Sequence, residues 1–136
     1  MKKKLNLHDS QILKIITNPV TGCMQIILSC HSDEIMEIQI EGIKRVKQNN
    51  IDCLSLFYES GGGIDDDYLE ETERDKTLFL SGILDFDCEK YENVIWSFYI
   101  TAEKINILHH KISMKKTDLL YEDSFISFNE LISNDG

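Results

Sequence analysis

The chain has 136 residues, of which 42% are apolar and 28% charged, and a formal net charge of −10, the proportions of one ordinary globular domain spanning 1–136. No apolar run approaches the roughly 18 residues of a membrane-spanning helix, and the negative balance disfavours a nucleic-acid partner, whose phosphates need cationic neutralisation. The acidity is local: residues 51–90 carry three Lys/Arg against twelve Asp/Glu, whereas residues 1–50 carry seven against five.

In chain order, Lys2-Lys3-Lys4 has the look of a basic leader. Asn6, His8, Asp9 and Ser10 then interrupt the apolar core that a signal peptide requires, so a cytoplasmic location is expected. His8-Asp9-Ser10 holds the residue types of a hydrolase triad, but adjacent strand residues point to opposite faces. The expected role is a strand start, with Asp9 or Ser10 bonding a nearby backbone amide.

Ser10 to Glu41 reads as two consecutive hairpins. Ile12, Leu13, Ile15 and Ile16 precede the turn Asn18-Pro19-Val20-Thr21-Gly22. Pro19 presets φ near −65° for a type I turn, Asn18 caps it, and Gly22 supplies the positive φ of a bulged return. Met24, Ile26 and Leu28 then alternate with polar residues, as do Met36, Ile38 and Ile40 beyond the polar break at His31-Ser32-Asp33-Glu34. Gly42 is expected to end that third strand. Ile43 to Lys47 suits one more strand or a helical turn and concentrates positive charge, Gln48-Asn49-Asn50 is a turn, and Cys53 to Tyr58 reads as a strand.

Residues 59–75 contain eight acidic residues and one basic one, Arg74, after the break at Gly61-Gly62-Gly63. With only Ile64, Tyr68 and Leu69 apolar, the stretch lacks the stripe that anchors a helix, and a long acidic loop insertion is expected. Thr77 to Asp87 is the next strand, where Gly82 marks a bulge or a close backbone approach. Val94, Trp96, Phe98 and Ile100 form a strong strand and supply the largest core side chains. Thr101-Ala102-Glu103-Lys104 reads as a tight reversal into a strand over 105–112. The tail from Thr117 suits a short strand and about one turn of helix, with Ser127 and Glu130 as a capping box. The fold expected is mainly β, either an antiparallel two-layer sandwich or a strongly bent sheet built from hairpins, with minor helix near the C-terminus.

The chemistry-bearing residues are sparse. Cys23, Cys30, Cys53 and Cys88 show no CxxC spacing and suit buried thiols. His31, His109 and His110 lack HxxxH or HExxH spacing, so neither metal nor cofactor is expected. The carboxylates Asp65, Asp66, Asp67, Glu70, Glu71 and Glu73 are the candidate partner-binding residues, because a dense negative surface steers a basic protein. Their order is not that of an EF-hand loop.

Leu7-His8-Asp9-Ser10-Gln11-Ile12, followed by a hairpin and Ile38-Gln39-Ile40-Glu41-Gly42-Ile43, resembles the opening of small bacterial β-rich proteins that start near "LHDS" or "HDA". Some of these are immunity proteins of toxin–immunity systems. The resemblance covers roughly the first 45 residues, assigns no functional residue, and implies a non-enzymatic protein that neutralises a toxin by binding it. Two other readings stand beside this one. In a ligand-binding or enzymatic β-domain, distant polar groups such as His8, Asp33 and His110 would converge between or at the end of the sheets. In a structural homodimer subunit, an apolar sheet face or edge would be left uncovered.

Overall fold

A computed structural model describes residues 2–8, 10–29, 34–54, 63–84 and 94–111. The strands are β1 (Lys2–Lys3), β2 (Gln11–Asn18), β3 (Cys23–Ser29), β4 (Glu34–Gln48), β5 (Ile51–Asp52), β6 (Ile64–Glu71), β7 (Lys76–Leu84) and β8 (Val94–Lys111). They form one antiparallel sheet in the order β1-β6-β7-β8-β4-β3-β2, with β5 paired to β4. Among the described residues there is no helix, and so none long and apolar enough to cross a membrane. The expected Cys53–Tyr58 strand beyond Leu54, and the C-terminal strand and helix, lie outside the described residues.

The first hairpin forms as its residues dictate. Asn18 Oδ1 accepts the amides of Val20 at 3.0 Å and Thr21 at 3.3 Å, and Gly22, at φ +70°, donates its N–H to the Asn18 carbonyl. Asn49 and Asn50, at φ 52° and 66°, make a two-residue hairpin between Gln48 and Ile51, the conformation that Asn tolerates best after Gly. Asn49 pins this hairpin to β8: its N–H donates to the Ser97 carbonyl at 2.9 Å and its Oδ1 accepts the Ser97 amide at 2.8 Å.

Three expectations are corrected. Gly42 does not end a strand: β4 runs through it, absorbing a register shift between Ile43 and Arg45. Thr101 to Lys104 is no reversal but the middle of β8, which pairs with β7 through residues 94–102 and with β4 through residues 98–111. Ala102 is buried there, so a short side chain marks an inward position that looked like turn composition. Finally, the acidic loop expected over 59–75 is, from Ile64 to Glu71, strand β6, paired with both β7 and β1.

The seam explains that last correction. Residues 2–8 and 10–11 lie along the edge of β6 that β7 does not occupy. Lys2 and Lys3 pair with Glu70 and Leu69, Ile64 N–H donates to the Ser10 carbonyl at 2.8 Å, and Gln11 bridges Gly63. The same segment continues as β2, which pairs with β3 at the far end of the strand order. One stretch of chain therefore joins both ends of the sheet, and the sheet curls so that they meet. Between the two paired parts the backbone leaves β6, with Asn6 at φ 58°. The Asp67 carboxylate fills the gap, accepting the Leu5 amide at 2.6 Å and the Leu7 amide at 3.0 Å. The carboxylate substitutes for ladder carbonyls that the detour removes.

Inside the curl lies one apolar core. Met24, Ile26 and Leu28 of β3 meet Met36, Ile38 and Ile40 of β4, Leu78 and Leu80 of β7, and Trp96, Phe98 and Ile100 of β8. The expected large core pair is there, Trp96 and Phe98 with ring centroids 4.9 Å apart. Gly82 is the close approach its position suggested. A Cβ added to it would stand 2.3 Å from the Gly63 carbonyl oxygen and 2.6 Å from Trp96 Cζ2, so the tryptophan and the seam both occupy the space of the missing side chain.

Candidate functional site

Strand parity decides which residues remain outside. With Leu78, Leu80, Phe98 and Ile100 turned inward, Phe79 and Tyr99 face out, and the register sets Tyr68 opposite Phe79, Phe79 opposite Tyr99 and Tyr99 opposite Lys47. The result is a row across four strands. Tyr68 and Phe79 stack with centroids 4.9 Å apart, Phe79 and Tyr99 lie 4.7 Å apart, and Lys2 Nζ sits 4.6 Å above the Tyr68 ring. All three rings are half-buried. Burial, a hydrogen bond with Tyr99 and the nearby Glu70 and Asp66 charges push the Tyr68 phenol up to about 12.

At the β4 end the row opens into a hollow of about 310 Å³ lined by Arg45, Lys47, Asn50, Tyr99 and Thr101. Asn50 brings the tip of the Asn49-Asn50 hairpin to one wall. Arg45 is held there by a fork to Asp52, Nε to Oδ1 at 2.7 Å and Nη2 to Oδ2 at 3.2 Å. The hydrogen bond from Arg45 holds the Asp52 carboxyl below its usual range, and the same bond raises the guanidinium pKa. The positive charge that the sequence concentrates in 43–47 is thus divided. Arg45 and Lys47 border the hollow, while Lys44 pairs with Asp75.

The six predicted carboxylates are dispersed over β6 and the turn after it. Asp67 is 3% exposed and committed to the seam. Asp66 pairs with Lys4, whose hydrogen bond lowers the carboxyl pKa. Asp65 is exposed, 3.7 Å from His8 Nε2. Glu70 is half-buried beside the aromatic row, and Glu71 and Glu73 are exposed. So Glu70 shares the outer face with Tyr68, Glu71 falls on the opposite side of β6 with its partner Lys76, Asp65 and Glu73 are exposed, and Asp66 and Asp67 help build the fold.

A second polar cluster escaped the sequence reading. Glu37, 3% exposed, accepts hydrogen bonds at Oε2 from Gln25 Nε2 at 2.7 Å and Gln39 Nε2 at 3.1 Å, and its Oε1 lies 3.0 Å from His110 Nε2. A hollow of about 230 Å³ lies alongside, lined in part by Cys23, Gln25, Glu37, Gln39 and Glu41. Both Glu37 oxygens are in contact with side chains of neighbouring positions, which makes this cluster a lock between β3, β4 and β8. Its only advance signal is a polar residue in an alternating strand, which reads as solvent-facing.

The convergence of His8, Asp33 and His110 is not met by the described pair: His110 turns to Glu37, and His8 lies at the seam beside Asp65. Asp33, Cys30, His31 and Cys88 lie outside the described residues. Among the described residues no group of three His, Cys, Asp or Glu is placed to hold a metal ion. The resemblance motif has a structural role. Leu7 is buried, Ser10 N–H donates to the Leu7 carbonyl at 2.9 Å, and Ser10 accepts Ile64, so these residues make the closure.

Comparison with protein-family models, curated proteins and solved structures finds no match to this chain.

Proposed function

We propose that the protein is a non-catalytic protein-binding module, of immunity type and cytoplasmic, whose basic partner docks on the outer face of β6, β7, β8 and β4. One observation carries this reading: Tyr68, Phe79 and Tyr99 form an unbroken aromatic row on the outside of the sheet, half-covered and held rigid by their neighbours. Tyrosine contributes large contact area at little entropic cost, and such anchors dominate binding energy at interfaces. Glu70 stands on the face of β6 that carries Tyr68, and the exposed Glu71, Glu73 and Asp65 add negative charge along the same strand and the turn after it. There they would steer a cationic partner before the rings engage it. Blocking would be steric, by coverage of the partner's surface, with the charges setting the association rate.

The test is affinity capture of the partner from host lysate by wild type and two variants, one with Glu70, Glu71 and Glu73 changed to Gln and one with Tyr99→Ser. A basic protein retained by wild type, released by salt, and bound more weakly by both variants is the expected result. Equal retention by all three proteins would refute the assigned face. A partner lost only on disruption of a self-association seen by light scattering would instead favour the homodimer reading.

A further inference from the structure

The 310 Å³ hollow beside Tyr99 is lined by basic, aromatic and neutral polar side chains, and we infer that it is a binding site for a small aromatic monocarboxylate. Three properties of the hollow lead there. It gathers two cationic side chains, Arg45 and Lys47, in a chain whose net charge is −10. Asp52 offsets one of these charges while its fork orients the guanidinium. Arginine has five N–H donors and the fork uses two of them, so the group is positioned by Asp52 and still equipped to grip an oxyanion.

The local balance of one positive charge favours a monoanion. A phosphate dianion would carry excess negative charge into the field of an acidic protein. The ring preference comes from Tyr99. One side of its ring packs on Phe79, centroids 4.7 Å apart, and across the register on its other side stands Lys47, at the hollow. A planar ligand can lie against that side with its carboxylate between Lys47 and Arg45, while Asn50 and Thr101 offer polar contacts at the rim. The volume is at the small end of ligand sites, room for one ring and its substituent. The walls are built beforehand: the Asn49-Asn50 hairpin is pinned to Ser97 through two hydrogen bonds, and Thr101 Oγ1 lies 3.1 Å from Thr77 Oγ1.

The experiment is a titration of isotope-labelled protein, followed by amide chemical shifts, with benzoate, acetate, phenyl phosphate and benzylamine as separate probes. Benzoate should give saturable shifts at Lys47, Asn50, Tyr99 and Thr101, in the millimolar range expected of so small a ligand. Benzylamine should give none, and acetate should bind more weakly than benzoate. Lys47→Gln should weaken benzoate about tenfold, the loss of one charge-assisted contact, and Tyr99→Leu should remove the advantage of benzoate over acetate. Shifts that never saturate, or an unchanged benzoate affinity in Lys47→Gln, would overturn the site. Tighter binding of phenyl phosphate would overturn the monocarboxylate assignment, and equal binding of acetate would overturn the role of the ring. Lys47 faces outward, so Lys47→Gln keeps the test decisive even if Tyr99→Leu disturbs the aromatic row.

Discussion

Asp67 should be far more sensitive to substitution than its acidic neighbours, although it sits in the most acidic stretch. Its two oxygens accept the amides of Leu5 at 2.6 Å and Leu7 at 3.0 Å, and the residue is 3% exposed. In Asp67→Asn the amide group places a donor opposite one of these donors, at a cost of about 1–3 kcal/mol for the unmet buried N–H. In Asp67→Ala both amides lose their acceptor. The Leu7 bond is buried and the Leu5 bond only partly so, and water recovers part of the second, which gives about 2–4 kcal/mol in total. That is a large share of the roughly 5–15 kcal/mol that holds a domain together. With a urea m-value of about 2 kcal/mol per M, the Asp67→Ala midpoint falls by about 1–2 M. Amide exchange should localise the damage: Leu5, Leu7 and Ile64, which cross the seam, exchange faster, with smaller changes between β3, β4 and β8. The exposed Asp65→Asn serves as control and stays within about 0.5 kcal/mol of wild type. A midpoint for Asp67→Ala no different from that control, with Leu7 still protected, would refute the account of how the sheet closes.

Gly82→Ala should destabilise by about 1–3 kcal/mol or more in the same urea assay, because its Cβ meets the Gly63 carbonyl at 2.3 Å and the Trp96 ring at 2.6 Å; wild-type stability would contradict that packing. Glu37→Ala removes the acceptor of Gln25, Gln39 and His110 together and should lower stability by about 2–4 kcal/mol, whereas an unchanged thermal midpoint would mean that the cluster is no lock. Tyr68, pushed up from 10.0 to about 12, favours the folded state below its unfolded value, so stability should drain away between about pH 10 and 12 as the unfolded phenol ionises first. Phenolate absorbance should show a late-titrating tyrosine that disappears in Tyr68→Phe. On the acid side, Asp66 and Asp52 have carboxyl pKa values lowered from 3.8. Their stabilisation is present above that value and is lost as the pH falls through the folded-state range. Solvent screens both pairs, so Lys4→Gln and Arg45→Gln should alter the acid limb of an unfolding curve only slightly.

The parts of the fold written in local pattern could be read from the chain. The Asn18–Gly22 turn, the alternation through Met24–Leu28 and Met36–Ile40, the Trp96–Phe98 core and the close approach at Gly82 depend on neighbouring residues, whose preferences agree with the final structure. Strand β6 was illegible because five of its eight residues are acidic and its inward positions hold only Ile64, Asp67 and Leu69. A carboxylate at an inward position looks like a loop until its two amide donors arrive from some sixty residues earlier. Thr101–Lys104 failed for the opposite reason: Ala102 is small enough to pass for a turn residue but is buried between β4 and β7. The candidate face was less visible still. Tyr68, Phe79 and Tyr99 each look like one more strand aromatic, and only the register between β6, β7 and β8 places them in a row.

The same register changes the meaning of the charge. Taken alone, residues 51–90 suggest a negative surface held out for a partner, and Lys2-Lys3-Lys4 suggests a leader. In the fold the lysine stretch lies alongside β6, the described acidic strand. Lys2 covers the Tyr68 ring, Lys4 pairs with Asp66, and the backbone just beyond them, at Leu5 and Leu7, donates to Asp67. Part of the acidity therefore serves closure, and the docking proposed above draws on the smaller set Asp65, Glu70, Glu71 and Glu73. The two uses differ in their response to salt. The Lys4–Asp66 pair is exposed and screened within about one Debye length, close to 10 Å at 0.1 M salt. The Asp67 hydrogen bonds are short-range and shielded by burial. Raising salt should thus weaken capture of a basic partner while leaving the seam intact, so loss of binding at high salt can be read as electrostatics rather than unfolding.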